Sequence, residues 1–495
     1  MVFCVLDARS TETDAMKIRK VSRLQSATPR VRTTQPVAPH ESRIIWPWET
    51  DKWSTIKTTL AQPMTNLVEL DSKISYLHNM VNKSELRVRF VQDAFTAYYI
   101  DSHCAARIPQ ETLLSTIVPF LADIITNAPK EFKRVTVPLL LPGCRTNSAI
   151  SRRHITIVLA CLFFGLLEFD YILTPPTRGK RRGYTIDDFP DLSFAPIFIN
   201  RNLFALQCLL GYFAMAHVQW DNKFAQGQVV IMRTSLSEDP NDDLAVPSWS
   251  ESQQAIADIY ISNEAVDVVG SRIQIVNASE MIGKGSWGGP LTNEEIQMIV
   301  HPESIIASLI CARLDPNECV VVLGAARISQ YTGVGSNIRY TGPCVDPLEI
   351  AVQNGRSIIR HAMVFIDASN KTDATSQCIY DFNRDLNKAY CGFAAIDACM
   401  QVSCAHWTYG FNGGHVQVRF LQLLLAASHA DKQLVYHTNN PDIEPKIEQL
   451  YDWIQERQLT VGDLYKRYKA LIHSRDIADI DVFDELIDAD IANES

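Results

Sequence analysis

The chain has 495 residues, enough for two domains or for one large domain with extensions. Its hydrophobic share of 46% against 21% charged is that of an ordinary globular protein and excludes a collagen-like or wholly disordered chain. With 46 basic and 56 acidic residues the net charge is −10, which argues against a protein that grips nucleic acid along many phosphates, so any polyanionic ligand must be held by a local site.

Residues 1–45 are polar, and Met16 to Val37 carries six basic and no acidic residues. This reads as a flexible basic tail, with a transit peptide or a nuclear address as the alternatives. Residues 46–225 carry apolar residues at helical spacing in "MTNLVELDSKISYLHNMV", "QETLLSTIVPFLADIITNA", "SRRHITIVLACLFFGLLEF" and "LFALQCLLGYFAMAHV", which predicts a helical accessory domain. Its longest apolar run, Ile155 to Leu167, is shorter than the roughly 20 residues of a membrane span and reads as a buried helix. "RGKRRG" at 178–183 reads as a solvated basic loop.

Over residues 226–475 the texture changes. Short β-branched runs ("VVIMRT", "ADIYIS", "SRIQIVNAS", "ECVVVLGAA", "HAMVFIDAS", "QLVYHT") alternate with helical patterns, including "NEEIQMIVHPESIIASLICARL" and "CIYDFNRDLNKAYCGFAAI". The alternation predicts an α/β layered domain with helices on both faces of a mixed sheet, and a ligand site beyond the strand ends. Residues 476–495 hold eight acidic and no basic residues and read as a weakly ordered acidic tail. The 12 cysteines include no CxxC pair and no zinc-type spacing, so reduced thiols are expected, with neither structural disulfide nor metal.

The densest chemistry lies in "IGKGSWGGPLTNEEIQ" (282–297). Thr292 to Glu295 fits a helix capping box, and the acidic pair suits the positive end of the helix dipole. Gly283, Gly285 and Gly288 also fit a dinucleotide GxGxxG, but Gly289-Pro290 stands where that motif's helix would begin, and "GKGS" lacks P-loop spacing. A third reading joins the halves. A glycine loop lets backbone approach a diphosphate, and a carboxyl just beyond it reaches the attached sugar. Adjacent helical residues diverge by about 100°, so Glu294 and Glu295 cannot flank one bond from opposite sides; one transfers protons and the other positions the sugar.

On these residues the chain resembles the poly(ADP-ribose) glycohydrolase family, whose signature is GGG, six to eight residues, then QEE. Here Gly283-Lys284-Gly285 is followed by seven residues and Asn293-Glu294-Glu295. The likeness continues through "HPESIIASLICARLDPNECVVVLGA", "SQYTG", "DLNKAYCGF", "HWTYGFNGG" and "QLTVGDLYKRY", and more weakly back through "VPSW" to about residue 130.

The resemblance implies a macrodomain-like three-layer α/β/α fold with a mixed sheet behind the helical lobe. It implies hydrolysis of ribose–ribose bonds in poly(ADP-ribose), with no metal or redox cofactor. The implied partners are poly(ADP-ribose) and ADP-ribosylated proteins, with neither nucleic acid nor membrane, for a monomer in the nucleus or cytoplasm. Glu295 matches the catalytic acid and Glu294 the ribose-binding carboxylate. Substrate contacts are implied at Asn277, Ser279, Gly283, Lys284, Gly285, Asn293, Tyr331, His406, Trp407, Gly410, Phe411 and Asn412. Lys284 and Asn293 depart from the signature, Val276 and Ser279 stand where the family has Asp and Asn, and Val334, Asn412 and Asn439 replace family aromatics. The alternative function is an ADP-ribose-binding reader with weakened turnover. Asn387, Lys388 and Tyr390 read as packing residues, Cys391 as a buried thiol, and His301 to Glu303 as part of the helix after the glutamates.

Overall fold

The computed structural model describes residues 43–494 apart from several segments, the longest being 173–184, 264–271, 368–378 and 406–414. The basic tail up to residue 42 and the basic loop at 178–183 fall outside the described residues.

The helical periodicity of the first half is realised. Helices α1 (Trp53–Leu60), α2 (Leu67–Val81), α3 (Phe90–Ile100), α4 (Gln110–Glu131), α5 (Arg152–Phe163) and α6 (Leu203–Gln219) form the lobe. Each start has a local cause where a capping side chain is present. Asn66 accepts from the Glu69 N–H at 2.9 Å ahead of α2, and Ser151 caps α5 through the His154 N–H. By length and composition α4 could cross a membrane, yet half of it is buried, with Leu113, Ile117, Leu121 and Ile125 packed into the lobe core.

The sheet has eight strands: β1 (Thr146–Ser151), β2 (Gln228–Ser235), β3 (Ile259–Ser262), β4 (Arg272–Ala278), β5 (Glu318–Leu323), β6 (Ala362–Asp367), β7 (Gln401–Ala405) and β8 (Leu434–His437). Their order is β1-β2-β5-β6-β4-β7-β8-β3. Pairing is antiparallel from β1 to β6 and parallel from β6 to β3, so the sheet is mixed as expected.

Side chains alternate across the central strands and feed two cores. Val229, Ile231, Val276, Val320, Val322, Met363 and Phe365 join the lobe, whereas Val230, Met232, Ile275, Val321, Leu323, Val364 and Ile366 join the other face. That second core is completed by α8 (Ile379–Ala394), α9 (Val416–His429), α10 (Glu444–Glu456), α11 (Val461–Ser474) and α12 (Val482–Glu494), preceded in the chain by α7 (Asn293–Val300). The helical lobe is therefore itself one outer layer of an α/β/α sandwich.

Three sequence expectations are corrected. The helix after the glutamates stops at Val300, because Pro302 cannot continue its hydrogen bonding; His301 is the cap and Pro302–Ile305 is a separate tight turn. The acidic segment is not a loose tail over α12, where Val482, Phe483 and Leu486 are buried and Phe483 meets the Phe420 ring at 5.6 Å. Their spacing of i, i+1 and i+4 makes an apolar stripe that the carboxylates conceal. Strand β1 lies within the range read as helical, since its inward residues Thr146, Ser148 and Ile150 alternate correctly but are mostly hydroxylic.

Candidate active site

The parallel half of the sheet brings the carboxyl ends of β4, β6, β7 and β8 to one edge, and β4 runs straight into the glycine segment. Ala278, the last residue of β4, pairs with Asp367 at the end of β6. Ser279 to Gly285 then turns under the start of α7.

That helix begins with the expected capping box. The Thr292 N–H donates to Glu295 Oε2 at 2.7 Å, the Thr292 hydroxyl donates to the same oxygen at 3.0 Å, and the Glu295 N–H returns to Thr292 Oγ1 at 3.4 Å. The box and the candidate chemistry coexist, because only one carboxylate oxygen of Glu295 is used. Its other oxygen, Oε1, faces Gly285: a Cβ added there would lie 1.8 Å away. Gly285 is thus the space that this carboxyl occupies.

Glu294 turns the other way. Its Oε1 accepts from the Gly283 N–H at 2.7 Å and its Oε2 from the Ser279 N–H at 3.0 Å, so it staples the strand end and glycine turn to the helix. Gly283 has φ +75, and a Cβ there would meet Ser308 Oγ at 2.3 Å. The expectation that this glycine's N–H faces a diphosphate is not met, because that N–H serves Glu294, while the Lys284 N–H donates to Met281 O at 3.1 Å.

Both carboxyls are buried, at 5% and 3% relative exposure, and burial pushes both upward from the ordinary range. Glu294 is pushed up to about 8: burial outweighs its two N–H donors, and the Glu295 and Asp367 charges add to the rise. For Glu295 burial likewise outweighs the two Thr292 bonds. A carboxyl raised in this way holds its proton to a higher pH than an ordinary surface glutamate and is the better placed to donate it.

The remaining expected residues are placed as follows. Ser279 is half-buried and its hydroxyl donates to Met281 O; Asn277 is half-buried near the end of β4; Asn293 opens α7; Lys284 is exposed. Tyr331 is brought to α7, its hydroxyl accepting from Gln297 Nε2 at 3.4 Å while its ring meets Phe204 at 6.0 Å and the Arg327 guanidinium at 6.0 Å. His406, Trp407, Gly410, Phe411 and Asn412 lie outside the described residues, as do Val334 and Asn439.

Sequence reasoning missed the polar layer behind these residues. Gln297 Oε1 accepts from Gln274 Nε2 at 2.7 Å, Gln274 Oε1 lies 3.1 Å from His361 Nε2, and His361 stacks on His301 at 4.9 Å. Asp367 is held by Lys388 at 2.5 Å and by Arg384, which also pairs with Asp385 at 2.6 Å. Lys388 is therefore a buried counter-ion at the end of β6 as well as a packing residue. Asn387 accepts from the Trp249 indole N–H at 2.9 Å, Tyr390 packs edge-on against Trp249, and Cys391 is a buried thiol 3.6 Å from Cys319 Sγ.

Comparison with known proteins supports the same assignment. A family model described as poly(ADP-ribose) glycohydrolase, macro domain fold, matches residues 246–444, and one described as poly(ADP-ribose) glycohydrolase, helical domain, matches residues 107–233. The chain belongs to the poly(ADP-ribose) glycohydrolase family. Among similar proteins, poly(ADP-ribose) glycohydrolase 1 of Arabidopsis thaliana is 26% identical over 295 residues, 56% of this chain and 50% of that protein. Probable poly(ADP-ribose) glycohydrolase 2 of the same plant is 20% identical over 495 residues, 87% of this chain and 92% of that protein. Poly(ADP-ribose) glycohydrolase 1 of Caenorhabditis elegans is 24% identical over 207 residues, covering 39% of this chain and 26% of that protein. The chain thus spans half of the first relative's length and nearly all of the second's. The two family matches meet across the sheet, where β1 and most of β2 fall in the helical match and β3 to β8 in the macro match.

Proposed function

We propose that the protein hydrolyses the ribose–ribose O-glycosidic bonds of poly(ADP-ribose), releasing ADP-ribose. The observation that carries this reading is the pair at the start of α7: one carboxyl tied to backbone on both oxygens, the other tied on one oxygen with its second lying against Gly285. Glu295, raised by burial, donates its proton to the departing 2′-oxygen as the anomeric carbon becomes oxocarbenium-like. Its carboxylate then takes a proton from the water that attacks that carbon, restoring the acid. Glu294, fixed by Ser279 and Gly283, holds the adjoining ribose by a hydroxyl, and Tyr331 contributes to the wall for the base.

The test is incubation of purified protein with poly(ADP-ribose). Wild type releases ADP-ribose, and Glu295→Gln loses about 10²- to 10⁴-fold in kcat, the contribution typical of a positioned acid–base group. Binding without release would overturn the hydrolase reading in favour of an ADP-ribose reader, and an equally active mutant would overturn the role of Glu295.

The free, buried thiols of Cys161, Cys208, Cys311, Cys319, Cys391 and Cys404 support a reducing compartment, and we place the protein in the nucleus or cytoplasm, acting on proteins ADP-ribosylated after DNA damage. Imaging of the tagged chain in its own cells checks this; a secreted product would refute it.

A further inference from the structure

The glycine segment is held from the opposite side by the helical lobe, through one residue. Asn202 is the cap of α6: its Oδ1 accepts from the Ala205 N–H at 3.1 Å. Its Nδ2 is directed elsewhere and donates to the backbone carbonyl of Trp287 at 2.6 Å, in the segment between Gly285 and Asn293. The two groups of one amide thus fasten a lobe helix and the glycine loop to each other. The Trp287 indole is 5% exposed and packs on Phe194 of the lobe at 5.3 Å, so apolar burial supports the same contact. Two residues into α6, Phe204 meets the Tyr331 ring at 6.0 Å. The first turn of α6 therefore touches both the loop beside the glutamates and the tyrosine beside Gln297.

We propose that Asn202 is a positioning residue for the active site: by holding the Trp287 carbonyl it fixes the loop whose Gly285 lies against Glu295 Oε1 and whose Gly283 N–H orients Glu294. The catalytic consequence rests on the hydrolase reading above; the clamp itself does not. A backbone carbonyl carries no side-chain signal, so no pattern in 283–289 announces this contact. The asparagine announces only a helix cap.

The two roles of the amide separate chemically. Asn202→Ser keeps an oxygen acceptor of comparable capping strength and replaces the Nδ2 donor by a single hydroxyl on a shorter stem that does not reach Trp287, whereas Asn202→Ala removes both groups. Amide hydrogen exchange of the ligand-free protein reads the clamp directly. In Asn202→Ser, exchange at Gly283, Lys284 and Trp287 should accelerate about five- to tenfold, the effect of losing one net hydrogen bond, with the first turn of α6 unchanged. Unchanged exchange in the loop, or equal acceleration in α6, overturns the proposal. Turnover then tests the consequence: kcat should fall by a similar factor, with the thermal midpoint lowered by no more than the same lost hydrogen bond accounts for, and a variant whose midpoint drops with kcat intact shows a merely structural residue. Because exchange needs no substrate, inactivity of the wild type would defeat the hydrolase reading while leaving the clamp decided by the exchange data.

Discussion

At the scale of single residues, the two glutamates do different work because of what their oxygens already touch. Gly285 makes the sharpest test. An added methyl would sit 1.8 Å from Glu295 Oε1, and the flexible end of that side chain would move before the backbone did. Gly285→Ala should leave the protein folded, with a normal melting profile, and lower kcat about 10²-fold through displacement of the acid. Glu294 makes a pH prediction. Its ordinary value is 4.5 and its folded value about 8, so between those limits the folded state keeps a proton that the unfolded chain has lost. Stability from this group is full below about 4.5 and is lost as pH rises through 8, on the order of a few kcal/mol. Glu294→Gln should flatten that slope in urea denaturation measured from pH 5 to 8; a slope identical to wild type would show that Glu294 is not held protonated. The signature spacing made Glu294 and Glu295 legible in the sequence. Their backbone partners, and Asp367, Gln274 and His361, were not, because those contacts join strands and turns far apart in the chain.

At the scale of elements, periodicity served well wherever burial was apolar and failed where it was polar or masked by charge. The strands read as β-branched runs are present in the sheet, whereas β1 buries hydroxyls and β7 ("QVSCA") is only five residues long. Helix α12 was hidden by its carboxylates. Its start is fixed in three ways: Asp481 accepts from the Asp484 N–H at 3.1 Å, Gln417 Nε2 donates to Asp481 at 2.8 Å, and the Val482 N–H donates to Gln417 Oε1 at 2.7 Å. Phe483 then fills a gap beside Phe420 with 1% exposure. Phe483→Ala should cost about 3–5 kcal/mol, as large-to-small changes in a packed core do, read as an earlier urea midpoint. A loose acidic tail would give no change.

At the scale of the whole molecule, the question is whether lobe and sheet unfold together. Alternating strand residues already commit one sheet face to the lobe, and a buried ion pair fastens the same seam. Arg152, the first residue of α5, lies 3.0 Å from Glu303, with side-chain exposures of 3% and 0%. Glu303 also accepts from the Ala326 N–H at 2.9 Å, and Arg152 donates to the Gly324 carbonyl, so the pair spans the lobe, the turn after α7 and the loop after β5. Two charges removed from water gain little over apolar replacements, but one left alone is expensive. Arg152→Met and Glu303→Gln should therefore each cost about 3–5 kcal/mol, while Arg152→Met combined with Glu303→Leu should recover most of the loss. Denaturation of wild type followed by tryptophan emission, whose sources lie on both faces of the sheet, with Trp46 in the lobe core and Trp249 and Trp453 in the other, should show one transition that coincides with loss of ADP-ribose release. A wild-type emission change in two steps, the first with activity retained, would mean that the lobe detaches from an intact sheet and that the pair does not couple them.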